Sequence, residues 1–225
     1  VASSPSHLDF HDRSACAAAA QRIRALELEV HSFHAPFADH IDISALNSGR
    51  RDTAVREISR AAEAAAAVGA RYFVLHPGPE TSGVPRSERL DRMDCAVEAL
   101  DRIAWRAGEL GISLVLENML PHLFAGHVRD LLWLLGALAS TNVGICLDTG
   151  HSHYAGFDPV AFMARHMGRI AYVHFKDIDP VVKADAVAKR TGFYDACGQG
   201  IFCNLGKGIT DFTAVRNLLL DSGYQ

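Results

Sequence analysis

Five short apolar runs punctuate the chain: residues 26–33 (LELEVHSF), 71–75 (RYFVL), 112–116 (ISLVL), 143–147 (VGICL) and 170–173 (IAYV). Each is short and rich in branched or aromatic side chains, as expected of strands buried on both faces of a parallel sheet. Between them run longer stretches with apolar residues at helical spacing. Residues 13–24 are alanine-rich. Residues 52–68 put Val55, Ile58, Ala62, Ala65 and Ala66 on one stripe and stop at Gly69. Residues 87–110 carry Leu90, Met93, Val97, Leu100, Ile103 and Ala104 and stop at Gly111. Residues 127–139, 159–167 and 211–220 complete the helical set. Trp105 and Trp133 fall at core spacing on two of these helices and are expected to pack inside. Strand and helix alternate, no Gly/Ser/Pro tract divides the chain and no repeat shows. The pattern therefore predicts a single α/β domain over residues 1–225.

Composition narrows the class. With 225 residues, 49% hydrophobic and 21% charged, the chain has material for a sizeable core, which excludes low-complexity disorder and a collagen-like fibre. A net charge of −4 gives no electrostatic footprint for wrapping nucleic acid. No apolar stretch reaches the roughly 18 residues a membrane span needs, and no secretory signal pattern opens the chain. Five cysteines stand singly without a C-x-x-C pair, which argues for free thiols in a reducing compartment. The expectation is a soluble, cytoplasmic protein with neither nucleic acid nor membrane as partner. Its 12 histidines are many for this length.

The position of those histidines and of certain carboxylates is the informative feature. Each apolar run ends in an ionisable residue: His34 in HAPF, His76 in LHPG, Glu117 in LEN, Asp148 in LDTGH and His174 in VHFKD. Their spacings match one strand-plus-helix unit each. An open doubly wound sheet gathers a few loops at a switch point. A closed barrel gathers all its strand ends on one face. Five such residues on five successive strands favour the barrel.

Glu117 and Asp148 are costly to bury unpaired. With His174 they make an oxygen/nitrogen shell suited to one divalent ion, Mn²⁺, Co²⁺, Zn²⁺ or Mg²⁺, and unlike a thiolate zinc site. Such an ion would polarise a carbonyl and hydroxyl pair on a sugar, while a carboxylate at its edge removes the neighbouring proton. His34 and His76 are expected to line the pocket, and His151, three residues after Asp148, to point into it as a substrate or supporting contact.

In order and spacing, HAPF, YFVLHPG, LVLEN, ICLDTGH and YVHFKD resemble the xylose-isomerase-like TIM-barrel superfamily. That superfamily includes sugar and sugar-phosphate isomerases and epimerases, inosose dehydratases and the related apurinic endonucleases. The resemblance covers more than three-quarters of the chain and implies a (β/α)8 TIM barrel. Val1–Ser3 would continue the second strand, and strands 1 and 8 would fall outside the sequence given, leaving the domain incomplete at both ends. It implies metal ligation by Glu117, Asp148 and His174, with a fourth ligand, a Glu at the end of strand 8, expected beyond Gln225. It also makes a dimer or tetramer an expectation.

The resemblance implies a metal-dependent sugar or sugar-phosphate isomerase or epimerase working through an enediolate, with Glu117, or the Glu expected beyond Gln225, as base. The segment VHFKDIDPVV and the glycine-rich turn before Asp211-Phe212 look more like the inosose-dehydratase branch, where Lys176 and Asp177 would face a cyclitol substrate. Lys176 could equally be an ion-pair partner of Asp177. Gly206 and Gly208 suggest a phosphate-cradling nest, although a plain turn is the simpler reading. The endonuclease reading fares worse, because residues 200–208 lack the Asp and His that a third zinc ion needs. A carbohydrate-binding barrel without catalysis is the remaining alternative.

Overall fold

The computed structural model describes residues 1–3, 7–81 and 83–224. The chain divides into two compact bodies, residues 1–117 with 121–144, and residues 118–120 with 145–225.

In the first body helices and strands alternate. They are α1 (Arg13–Ala25), β1 (Ser32–His34), α2 (Ser48–Ala67), β2 (Tyr72–Leu75), α3 (Arg89–Glu109), β3 (Ser113–Glu117) and α4 (Val128–Ala137). β1, β2 and β3 are parallel, with Ser32 opposite Tyr72 and Tyr72 opposite Ser113. Val1–Ser3 runs parallel to β1, with His34 N–H donating to the Val1 carbonyl at 2.9 Å and Ser3 N–H to that of His34 at 3.2 Å. This is the strand continuation expected of the opening residues. Small side chains bring the helices close to the sheet: Ala61, Ala62 and Ala65 of α2 and Ala96, Ala99 and Ala104 of α3 are fully buried. Asp12 and Asn47 cap α1 and α2 with their side-chain oxygens.

Two expectations fail here. Residues 26–31 are not strand, and Leu26 and Leu28 are exposed. Trp105 is 67% exposed and Trp133 47%. On α3 the stripe of Met93, Ala96, Leu100, Ile103 and Ala107 fills the sheet-facing side, so Trp105 lies off it and Leu90 extends into solvent. The alanine faces supply the packing that the tryptophans were expected to give.

The second body takes most of β4 (Val143–Asp148) and then α5 (Thr149–Tyr154), α6 (Pro159–His166) and β5 (Ile170–His174). β4 and β5 are parallel, with Asp148 opposite His174. The chain continues through β6 (Asp177–Ile178), α7 (Pro180–Lys189), α8 (Phe193–Gly198), β7 (Phe202–Cys203) and α9 (Phe212–Asp221), with β6 and β7 antiparallel. Helices α5, α7 and α8 have no counterpart in the sequence reading. They enclose a small apolar cluster of Ile178, Ala186, Ala196 and Ile201, flanked by Tyr154, Val182 and Phe202. No helix among the described residues is long and apolar enough to cross a membrane, and all five cysteines are free thiols.

Asp177 closes this region. It is fully buried, and its carboxylate accepts from the backbone N–H groups of Gly206 (2.9 Å), Gly208 (2.8 Å), Thr210 (3.0 Å) and Ile178 (3.0 Å). The expectation that Asp177 faces a substrate is therefore corrected, and the Gly206/Gly208 amides hold this carboxylate rather than a phosphate. Gly208 passes so close that a Cβ there would lie 2.3 Å from the Ile178 carbonyl oxygen and 2.4 Å from the Asp177 carboxylate. Burial works against the charge on Asp177, but the Thr210 and Gly208 amides outweigh it and hold the carboxyl below its ordinary value.

A carboxyl whose folded pKa is depressed contributes stability above its unfolded value of about 3.9, and loses it as pH falls through the lower folded value. Asp177→Asn should therefore cost roughly 2–4 kcal/mol at neutral pH, measured by urea unfolding. The difference from the unmodified protein should shrink as the pH is lowered through that window.

Candidate active site

The strand ends carry two polar clusters, one in each body. In the first, β1 ends at His34, His76 follows β2 directly and β3 ends at Glu117. Glu117 is 1% exposed. Its Oε2 lies 3.3 Å from His34 Nε2 and 3.4 Å from His76 Nε2. The two imidazoles meet edge to face at 4.9 Å, and the Phe37 ring lies against both. His34 is oriented by its Nδ1, which donates to the Ala35 carbonyl at 2.8 Å. His76 Nδ1 is 3.1 Å from Glu80 Oε1. Burial alone would lower the pKa of His76, but Glu117 and Glu80 reverse that and bring it up to about 9. The imidazolium thus offsets a negative charge that could not be buried alone. Ligand atoms of His34, His76 and Glu117 lie within 4.8 Å of one another, close enough to share an ion.

The second cluster is built on Asp148, at the end of β4 and fully buried. Its Oδ1 caps α5 by accepting the His151 N–H at 2.8 Å. Its backbone is locked by Asn118, whose Oδ1 accepts the Asp148 N–H at 2.7 Å and whose Nδ2 donates to the Asp148 carbonyl at 3.1 Å. The other carboxylate oxygen, Oδ2, faces His151 Nδ1 and His174 Nδ1, each at 3.7 Å, and Lys176 Nζ at 2.6 Å. His151 Nδ1 also lies 3.1 Å from the Asn118 carbonyl oxygen, to which it can only donate. Nε2 is then the acceptor in neutral His151, and Lys176 Nζ stands 3.3 Å from it.

Lys176 pairs with Asp148, not with Asp177. Its root is fixed: its N–H donates to Thr149 Oγ1 at 2.9 Å, and that hydroxyl donates to the Lys176 carbonyl at 2.6 Å. Phe202 presents its ring 5.4 Å from the ammonium. Phe193 of α8 stands edge-on to His151 at 6.1 Å and to Phe202 at 6.0 Å.

The structure thus gathers Glu117 with His34 and His76, and Asp148 with His151, His174 and Lys176. The Asp148 Oδ2 and His174 Nδ1, 3.7 Å apart, are an oxygen/nitrogen pair that a divalent ion could share, with the Lys176 ammonium beside the same oxygen. Sequence reasoning missed Phe37, Glu80, Asn118 and Phe193. The first three stand inside or beside the motifs HAPF, LHPGPE and LEN. Their side-chain partners are set by tertiary packing, and no spacing rule reveals them.

Gly150 is the packing test of the second cluster. A Cβ there would lie 2.7 Å from Lys176 Cβ and 2.7 Å from Phe202 Cε1. Gly150→Ala should cost about 1–3 kcal/mol through forced displacement. Gly136→Ala, in α4 with nothing within 4 Å of the added carbon, should be neutral or slightly stabilising. Parallel denaturant titrations of the two variants check the contrast, and equal stabilities would contradict the packing described.

Comparison with known proteins places the fold. The rhizopine catabolism protein MocC of Rhizobium meliloti is 32% identical over 126 residues, covering 56% of this chain and 38% of MocC. The inosose dehydratase of Erwinia tasmaniensis is 31% identical over 134 residues, 57% of this chain and 44% of that one. The chain spans less than half the length of either relative. Among solved structures, a D-tagatose 3-epimerase-like protein superposes with a TM-score of 0.75 at 25% identity, over 95% of this chain and 74% of that one. The sequence profile of the xylose isomerase-like TIM barrel matches residues 3–225. With parallel strands alternating with helices and ionisable residues at successive strand ends, the chain belongs to the xylose isomerase-like TIM barrel family.

Proposed function

We propose that this chain carries the active site of a divalent-metal-dependent isomerase or epimerase acting on a small sugar or sugar phosphate. The observation that carries the reading is Glu117, a buried carboxylate at a strand end with one oxygen on two imidazoles. In a (β/α)8 barrel the strand ends share one face, which supports assigning Glu117, Asp148 and His174 to one ion and His34, His76, His151 and Lys176 to the substrate. When bound, a divalent ion supplies Lewis-acid polarisation of the substrate carbonyl.

The chain's own residues do the rest. Glu117 takes the proton from the carbon beside the carbonyl and returns it to another position or the opposite face. His76, held protonated, keeps the charge on Glu117 tolerable while the site is dry. Lys176, oriented by His151, donates a hydrogen bond to a substrate oxygen. Phe37 and Phe193 shield the imidazoles from water.

A second reading is an inosose dehydratase-like lyase, favoured by the likeness to an inosose dehydratase. The first step is the same. The C–O bond of the neighbouring carbon then breaks, and the hydroxyl leaves as water with a proton from Lys176. A cyclitol replaces the sugar as substrate in that case.

Glu117→Gln keeps the shape of the side chain and removes its basicity. It should slow exchange of the substrate C–H with deuterium, followed by NMR in D₂O on a panel of ketoses and inososes, by about 10²-fold or more. Exchange at the original rate would sink the reading. Product analysis separates the two branches, because ketose interconversion leaves no new chromophore whereas dehydration adds ultraviolet absorption.

A further inference from the structure

We propose that Lys176 is a resident stand-in cation: its ammonium neutralises Asp148 while no divalent ion is held, and gives up that oxygen when one binds. The inference rests on the metal reading above for the identity of the competing cation, and on the geometry of this body for the exchange.

Asp148 has no access to solvent, so its charge must be met by another group at all times. One oxygen is spent on the His151 N–H. The other has two imidazole nitrogens at 3.7 Å, beyond hydrogen-bond reach, and one full positive charge at 2.6 Å. Lys176 therefore sits on the side of the carboxylate that His151 and His174 also face. A divalent ion held by Asp148 and His174 needs that same oxygen. The ammonium and the ion are then alternatives, because two cations at contact distance repel by several kcal/mol even at an effective dielectric of about 20.

The side chain is built to yield. Its root is held by the paired hydrogen bonds with Thr149, and its Cβ is confined by the close approach of Gly150. The side chain is 37% exposed. Two further seats already surround the ammonium: His151 Nε2 at 3.3 Å and the Phe202 ring at 5.4 Å. Leaving Asp148 costs Lys176 one ion pair and keeps the other two neighbours, which frees its charge for a ligand oxygen. Ion loading thereby arms the lysine for substrate.

The test compares the unmodified chain with Lys176→Met, which keeps the stem and loses the charge, and with Lys176→Arg, which keeps the charge. Mn²⁺ affinity is measured by isothermal titration calorimetry on metal-stripped protein, and thermal midpoints are recorded with EDTA and with Mn²⁺. Lys176→Met should bind Mn²⁺ at least about tenfold more tightly, since no resident cation has to be displaced. Its midpoint should fall in EDTA and be restored by Mn²⁺. Lys176→Arg should resemble the unmodified protein in both measurements. Equal Mn²⁺ affinity for all three proteins, with equal midpoints in EDTA, overturns the exchange and leaves the metal reading standing. Absence of Mn²⁺ binding by any of them overturns both.

Discussion

A carboxylate taken out of water must be met by positive charge or by aimed N–H groups, and three in this chain are. Glu117, Asp148 and Asp177 are all essentially inaccessible, so each would cost several kcal/mol if left alone. Their solutions differ. Glu117 leans on two imidazoles, one held protonated with a pKa of about 9. Asp148 has a lysine ammonium and two imidazoles beside it. Asp177 is met by four backbone amides. Amides of the main chain cannot leave, which makes Asp177 a structural staple. Ammonium and imidazole groups can move, exchange protons or share an ion, which is what the proposed function asks of the groups around the other two.

Much of this was legible in the sequence because strand ends in a parallel α/β fold are readable. An apolar run that stops at His34, His76, Glu117, Asp148 or His174 reports a buried segment reaching its loop, and the structure puts each of these residues at or next to the end of a strand. Helix boundaries followed from glycines and caps. The roles of Lys176 and Asp177 were not legible. They are neighbours in one motif, and nothing in HFKD says that one turns to Asp148 and the other to amides some 30 residues later. Periodicity also misplaced Trp105 and Trp133, because it marks a helix face without saying how wide the buried stripe is. Alanine-lined helices pack tightly enough that bulky residues at the flank stay outside.

The likenesses divide along chemistry that shares its first half. Relatives in sequence include an inosose dehydratase, and a structural relative is epimerase-like. Both outcomes begin with a base beside a carbonyl. They separate only when a proton is delivered, either to carbon or to a departing oxygen. In the function proposed above, delivery to the departing oxygen falls to Lys176, whose position the proposed exchange makes adjustable.

That adjustability depends on the staple. Asp177 pairs with Cys203 across the short β6–β7 ribbon, and Ile178 with Phe202. The amides of Gly206, Gly208 and Thr210 converge on the Asp177 carboxylate and hold the following turn against β6. The ribbon in turn brings the Phe202 ring to Gly150 and to the Lys176 ammonium. A glycine is needed at position 150 because the ring and the lysine stem both pass where a side chain would be. The Asp177 carboxylate thus sets the Phe202 ring beside the Lys176 ammonium, so in the proposed exchange a buried residue held by amides would decide where the lysine can go.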